Sequence, residues 1–186
     1  RYTWIEYREA AREIAAGLIS SGIRKGDVGA ISSETRAELY LADFGIMACG
    51  AVSAALYISY PAQDLVRTLR ACGARVVFAQ DAEMRKRLQA AADPPLDVRW
   101  FLLTGLDELR QTGRDALARD PELWSRICEA VGPDDPAILY LTSGATGEPK
   151  MALISHGALV ANASVGPEVL HAGPEDSTIA FLPSAH

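Results

Sequence analysis

The sequence predicts an α/β fold, a layered αβα domain with a largely parallel sheet flanked by helices. Short runs of β-branched and small apolar residues alternate along the chain with segments of helical periodicity, the pattern of βαβ units. Several of the helical segments stop at a glycine, at Gly22, Gly50 and Gly73. The chain of 186 residues, 49% apolar and 23% charged, can also bury one sizeable core.

Element by element, Thr3 opens the first helix, with Glu6 three residues on as a capping-box pair. Tyr7, Ala11, Ile14, Ala15 and Leu18 then recur at helical spacing as far as Ser21. Gly26 and Asp27 lead into a strand over 28–31, followed by a helix over about 35–49 and a strand over 51–55. Pro61 begins a helix running to about residue 72, and Arg75-Val76-Val77-Phe78-Ala79 reads as a strand. A helix over 81–91, a break at Asp93-Pro94-Pro95 and a strand over 98–103 follow. The stretch 104–136 is more polar, carries Gly105, Gly113, Pro121, Gly132 and Pro133, and holds only short helical patterns. It is expected to be an irregular surface connection. Beyond it, the apolar runs 137–141 and 151–154 predict two buried strands around a polar loop.

Composition excludes several function classes. A net charge of −6 argues against nucleic acid, which is bound through clustered Lys and Arg. Arg85-Lys86-Arg87 lies in a helical pattern beside Asp81 and Glu83 and reads as a solvated face. Three widely spaced cysteines, Cys49, Cys72 and Cys128, give neither a disulfide framework nor a zinc site, and are expected as small buried thiols in a reducing compartment. No cationic-then-apolar leader opens the chain, so no signal peptide is expected. The apolar stretch 39–58 contains Asp43, Gly45, Gly50 and Ser53, and a carboxylate inside a membrane span is costly. A buried helix followed by a buried strand is expected there, with no transmembrane segment.

The loop Thr142-Ser143-Gly144-Ala145-Thr146-Gly147-Glu148-Pro149-Lys150 carries the chemistry. Gly144 and Gly147 can take positive φ, so successive N–H groups can curl into a nest for an anion. The hydroxyls of Thr142, Ser143 and Thr146 rotate to fit phosphate oxygens, Pro149 stiffens the exit, and Lys150 supplies a point cation. The alternative is a plain hydrophilic turn between two strands. The glycine spacing and the proline ahead of the lysine match neither the P-loop GxxxxGK[ST] nor the dinucleotide GxGxxG.

With its surroundings, the loop resembles the phosphate-loop signature Thr-Ser-Gly-(Ser/Thr)-Thr-Gly-x-Pro-Lys-Gly of the acyl-adenylate-forming (AMP-binding) superfamily. Gly26-Asp27-Val28 with Ile31 resembles the family's GDxVAI strand, and residues 34–38 its N-x-x-E region. Cys72-Gly73-Ala74-Arg75-Val76-Val77-Phe78 resembles SGARVVF. Residues 155–162, with His156 at a helix start, resemble the helix that follows the loop, and Phe181-Leu182-Pro183-Ser184-Ala185-His186 resembles its Leu-Pro-x-x-His motif. His171 matches no motif. The wording is closest to long-chain fatty-acid–CoA ligases (AMP-forming).

That resemblance implies that residues 1–186 are part of a large N-terminal AMP-binding domain, with 137–186 as its phosphate-loop region and the C-terminal domain absent. It implies activation of a fatty acid or related carboxylic acid by ATP, then transfer to coenzyme A. Thr142, Ser143, Gly144, Ala145, Thr146, Gly147 and Lys150 would hold the ATP phosphates, Thr142 would also reach Mg²⁺, and His186 would line the acyl and adenylate site. It further implies a cytoplasmic protein, with peripheral membrane contact left open. Ala145 departs from the family's Ser or Thr, and Met151 from its glycine. The chain alone is expected to show no fatty-acid-dependent release of pyrophosphate. Other readings are a non-catalytic nucleotide- or anion-binding module, a purely structural or interaction domain whose loop is a plain turn, or an adenylating enzyme for aryl, short-chain or amino acids.

Overall fold

The computed structural model describes residues 2–143 and 149–171; at 141–143, 149–150 and 167–168 it describes the backbone alone. Helix α1 (Trp4–Ser20) is followed by β1 (Val28–Ser32), α2 (Ala37–Ala48), β2 (Val52–Ala55), α3 (Ala62–Ala71), β3 (Ala74–Ala79), α4 (Ala82–Ala91) and β4 (Arg99–Leu102). A short 3₁₀ turn (Leu103–Gly105) leads to α5 (Leu106–Arg119) and α6 (Leu123–Glu129), then β5 (Pro136–Ser143), β6 (Pro149–Ser155) and α7 (His156–Leu170).

The strands form one six-stranded sheet in the order β4-β3-β1-β2-β5-β6. All neighbours are parallel except β5 and β6, which are antiparallel. Alternation along each strand divides the core between two faces. On one face Ile31, Val76 and Phe78 pack with Ile14, Leu18, Ile46 and Leu109 from α1, α2 and α5. On the other, Ala30, Val52, Val77 and Leu139 pack with Leu65, Leu69 and Leu88 from α3 and α4. This is the predicted αβα layering.

Local signals behave as the sequence indicates. The Thr3 hydroxyl accepts from Glu6 N at 3.2 Å while Thr3 N donates to Glu6 Oε2 at 2.7 Å, completing the capping box. Asp81 caps α4 by accepting from Met84 N at 2.9 Å. The stretch 39–58 resolves into α2 and β2, and no described helix is long and apolar enough to cross a membrane. Burial pushes the Asp43 carboxyl above its usual range.

The structure corrects three expectations. The stretch 104–136 is not an irregular surface connection, because α5 alone runs for 14 residues and buries Leu106, Leu109, Gly113 and Ala116. Gly113 is one of the Gly and Pro residues that made the stretch look irregular, but it is the point where α5 touches α1. A Cβ there would lie 1.8 Å from the Glu13 carbonyl oxygen, and one on Gly17 would lie 2.4 Å from that of Leu109. The polar residues of α5 serve the same junction, since Arg110 and Arg114 both reach Glu13 Oε2, at 2.8 and 3.0 Å.

The second correction concerns β6, expected as a buried strand. Among the described residues it lies at the sheet edge, with Leu153 61% exposed. The third concerns the thiols. Cys49 and Cys72 are buried and donate to the carbonyls of Ile46 and Leu69, whereas Cys128 on α6 is exposed.

Candidate functional site

Strand β5 is apolar because it enters the sheet beside β2, with Ser53 in register with Ile138. Ala137 and Leu139 are buried, Leu139 in the core beneath α3 and α4, while Ile138 and Tyr140 are half-buried. Since β5 runs parallel to β1, β2, β3 and β4, its last residues reach the carboxyl edge of the sheet. Open α/β sheets bind their ligands along that edge. The strand order also creates a switch point, because the chain leaves β3 towards β4 and leaves β1 in the opposite direction, towards β2.

At the loop end of the hairpin Thr142 is paired with Lys150 and Ser143 with Pro149. Directly opposed residues in an antiparallel pair have Cα atoms about 4.5–5.5 Å apart. The backbone therefore brings the hydroxyl-bearing end of β5 and the lysine of β6 to one place, at the mouth of a five-residue connection. Gly144, Ala145, Thr146 and Gly147 in that connection, and His186, lie outside the described residues. Met151, which replaces the family's glycine, is paired with Leu141 in extended strand. Any residue adopts that conformation, so the departure leaves the hairpin intact.

Other groups along the carboxyl edge went unnoticed in the sequence. After β1 and β3, Ser33 Oγ donates to Glu34 O at 2.8 Å and to Gln80 Oε1 at 3.3 Å, and Gln80 Oε1 accepts from Glu34 N at 3.0 Å. These bonds close the switch point. After β2 the chain passes through Tyr57. Its ring centroid is 5.6 Å from that of Tyr60, and Arg87 Nη2 donates to Tyr60 O at 3.0 Å, tying this loop to α4. The only signal for these neighbours is strand order, because β2 and β5 are more than eighty residues apart in sequence.

At the opposite end of the hairpin, Lys25 and Asp135 form an ion pair at 2.7 Å. Asp135 O accepts from His156 N at 3.0 Å. The Lys25 ammonium and the Gly132 N–H hold the Asp135 carboxyl below the usual carboxylate range. Burial pushes the His156 imidazole down against the pull of Asp135. Among the described residues no three His, Cys, Asp or Glu side chains converge as metal ligands.

The pairing sets Thr142 and Ser143 of β5 opposite Lys150 and Pro149 of β6 at the sheet's carboxyl edge, residue types suited to holding an anion. The AMP-binding enzyme family profile matches residues 1–186. The long-chain-fatty-acid–CoA ligase FadD15 of Mycobacterium bovis is 34% identical over 100% of this chain and 32% of its own length. For 4-coumarate–CoA ligase 2 of Oryza sativa subsp. japonica the identity is 28%, over 100% of this chain and 35% of that protein. The solved structure of ATP-bound MatB from Rhodopseudomonas palustris superposes with a TM-score of 0.78 at 25% identity, covering 98% of this chain and 35% of MatB. The chain thus spans about a third of the length of the curated relatives it matches.

Proposed function

The chain belongs to the AMP-binding enzyme family, and from that premise we propose that residues 142–150 hold the ATP phosphates in a long-chain fatty-acid–CoA ligase. The observation that carries the reading is the pairing of Thr142 with Lys150 across an antiparallel hairpin whose tip reaches the carboxyl edge of a parallel sheet. The 34% identity to FadD15 supports the fatty-acyl substrate class, and the superposition on an ATP-bound protein supports the nucleotide.

In the proposed reaction a carboxylate oxygen of the acid attacks the α-phosphorus of ATP. The bond to the bridging oxygen breaks and pyrophosphate leaves, giving the acyl-adenylate. The coenzyme A thiolate then attacks the acyl carbonyl and expels AMP. Negative charge grows on the leaving pyrophosphate, and preorganised donors are most effective where charge develops. The backbone N–H groups of Gly144 to Gly147 and the hydroxyls of Thr142, Ser143 and Thr146 are the donors, and Lys150 is the cation. Ala145 contributes backbone only. Magnesium takes few protein ligands when phosphates supply the rest, and here the Thr142 hydroxyl would be its protein ligand. Bound there, Mg²⁺ would neutralise the phosphate oxygens. His186 lines the acyl and adenylate site in this reading.

The test is Lys150→Ala in the complete polypeptide that carries these residues. MgATP affinity, read by calorimetry, is expected to fall about tenfold, as befits a lost charge-assisted contact. Unchanged affinity would remove the ATP site from the loop. A second substrate reading, an aryl acid, draws on the 28% identity to 4-coumarate–CoA ligase 2 over the whole chain. A panel of carboxylic acids separates the two: turnover of long-chain fatty acids supports the first, and turnover of aryl acids alone replaces it with the second.

A further inference from the structure

The base of the β5–β6 hairpin contains an irregularity. Pro136 pairs with Ser155 and Ile138 with Ile154, so Ala137 is an extra residue on β5, a β-bulge. Such a bulge is where a one-residue shift between the strands could be absorbed. A one-residue shift sends every side chain of the shifted strand to the opposite face. For β6 it would take Lys150 out of register with Thr142. Among the described residues β6 is an edge strand paired with β5 alone, so no second strand fixes its register.

A cluster of contacts sits beside this bulge. Asp135 Oδ2 accepts from Gly132 N at 2.6 Å and from Lys25 Nζ at 2.7 Å. The Lys25 ammonium also donates to Ala130 O at 2.7 Å, tying the segment to the turn that precedes β1. From this anchored turn, Asp135 O accepts from His156 N at 3.0 Å and Pro133 O from Gly157 N at 2.7 Å. The two residues that follow β6 are therefore held by the residues that precede β5, on a side chain reaching in from the α1–β1 connection.

We propose that Asp135, held by Lys25, is a positioning residue that locks the bulge at Ala137 and thereby sets the register that brings Lys150 opposite Thr142. This rests on the reading of residues 142–150 as the ATP-phosphate site. Asp135 contacts no substrate in this scheme; at the other end of an eight-residue strand it determines which residue of β5 is paired with Lys150.

MgATP affinity and melting temperature of the complete polypeptide provide the test, for Asp135→Ala, Asp135→Asn, Lys25→Met, Lys25→Arg, Lys150→Ala and a control, Arg126→Ala. The control removes a surface ion pair between Arg126 of α6 and Asp120, neither of which belongs to the ion pair of the latch. Asp135→Ala and Lys25→Met are expected to weaken MgATP about fivefold, the scale of coupling through one positioning contact. Lys25→Arg, which keeps the cation, should restore parental affinity, and Arg126→Ala should not change it. If Asp135→Ala does not fold, Asp135→Asn and Lys25→Met carry the comparison. Undiminished affinity in the Asp135 and Lys25 variants beside a weakened Lys150→Ala overturns the latch and leaves the ATP site standing. Unchanged affinity in Lys150→Ala overturns the ATP site and the latch with it. Equal weakening by Arg126→Ala, or no rescue by Lys25→Arg, reduces the effect to general destabilisation and overturns the proposal.

Discussion

Where α1 crosses α5, two helix backbones touch through Gly17 and Gly113, and Glu13 is clasped by two arginines. The β5–β6 hairpin is built the other way. Its outer strand exposes Leu153, and α7 behind it exposes Val160, Val169 and Leu170. One region is fixed by close backbone contact and a shared ion-pair cluster, and the other by ladder hydrogen bonds and a few latching groups at its base. The residues with recognisable chemistry lie in the second. Rigid scaffolds commonly position functional loops in this way, with packing and function drawn from different parts of the fold.

Substitutions can break or sharpen that contrast. The largest effect is expected from Gly113→Ala, because the new methyl would meet the Glu13 carbonyl at 1.8 Å, and backbone cannot move aside as a side chain can. A loss of about 3 kcal/mol or more is expected in urea unfolding. A neutral result would mean that the junction is looser than its geometry. Next comes Glu13→Ala, which strands Arg110 and Arg114. With the Arg114 side chain 41% exposed, a cost of about 2 kcal/mol is expected, below that of a fully buried pair.

The same glycine-to-alanine change in α7 should have the opposite sign. A Cβ at Gly166 meets nothing within 4 Å, so Gly166→Ala should gain about 0.5–1 kcal/mol from helix propensity alone. A loss there would show that α7 is more closely packed than the described residues indicate. The smallest effect concerns pH. Burial lowers the His156 imidazole below its ordinary 6.5, so the unfolded chain takes up the proton first. Stability should therefore fall as pH drops through 6.5 towards the folded value. His156→Gln should flatten that slope, read from urea midpoints across the range.

Legibility followed the same division. Every strand and helix up to β4 was readable from periodicity, caps and glycine stops, because each signal is local. Thr3 with Glu6 and Asp81 ahead of α4 gave helix starts within one residue. The stretch 104–136 failed because Gly113, one of the Gly and Pro residues that made it look irregular, is there for contact with a helix about a hundred residues earlier. No window of sequence around α5 contains Glu13. The loop reads in the sequence as an anion cradle and, by resemblance, as a phosphate loop, and its tip lies outside the described residues; the exposed edge position of β6 was not legible. Its apolar run 151–154 looks like a core strand, and strand order is what reveals that, among the described residues, β6 has a neighbour on one side. Asp135 was passed over for the same reason, since its partners come from both ends of the described chain.

The placement of β4 and β5 at opposite sides of β3-β1-β2 bears on the order in which the molecule can be made. Chains emerge from the ribosome amino end first, and folding can begin on what has emerged. By the end of α5, four parallel strands and the helices of both faces are available, while β2 still has one flank open. Its open edge, Val52-Ser53-Ala54-Ala55, is short and uncharged, the kind of edge to which a strand from another chain can add. Until Pro136–Ser143 arrives, a nascent chain carries a finished platform with a vacant berth, and a translational pause between α5 and β5 would prolong its exposure to trespassing strands.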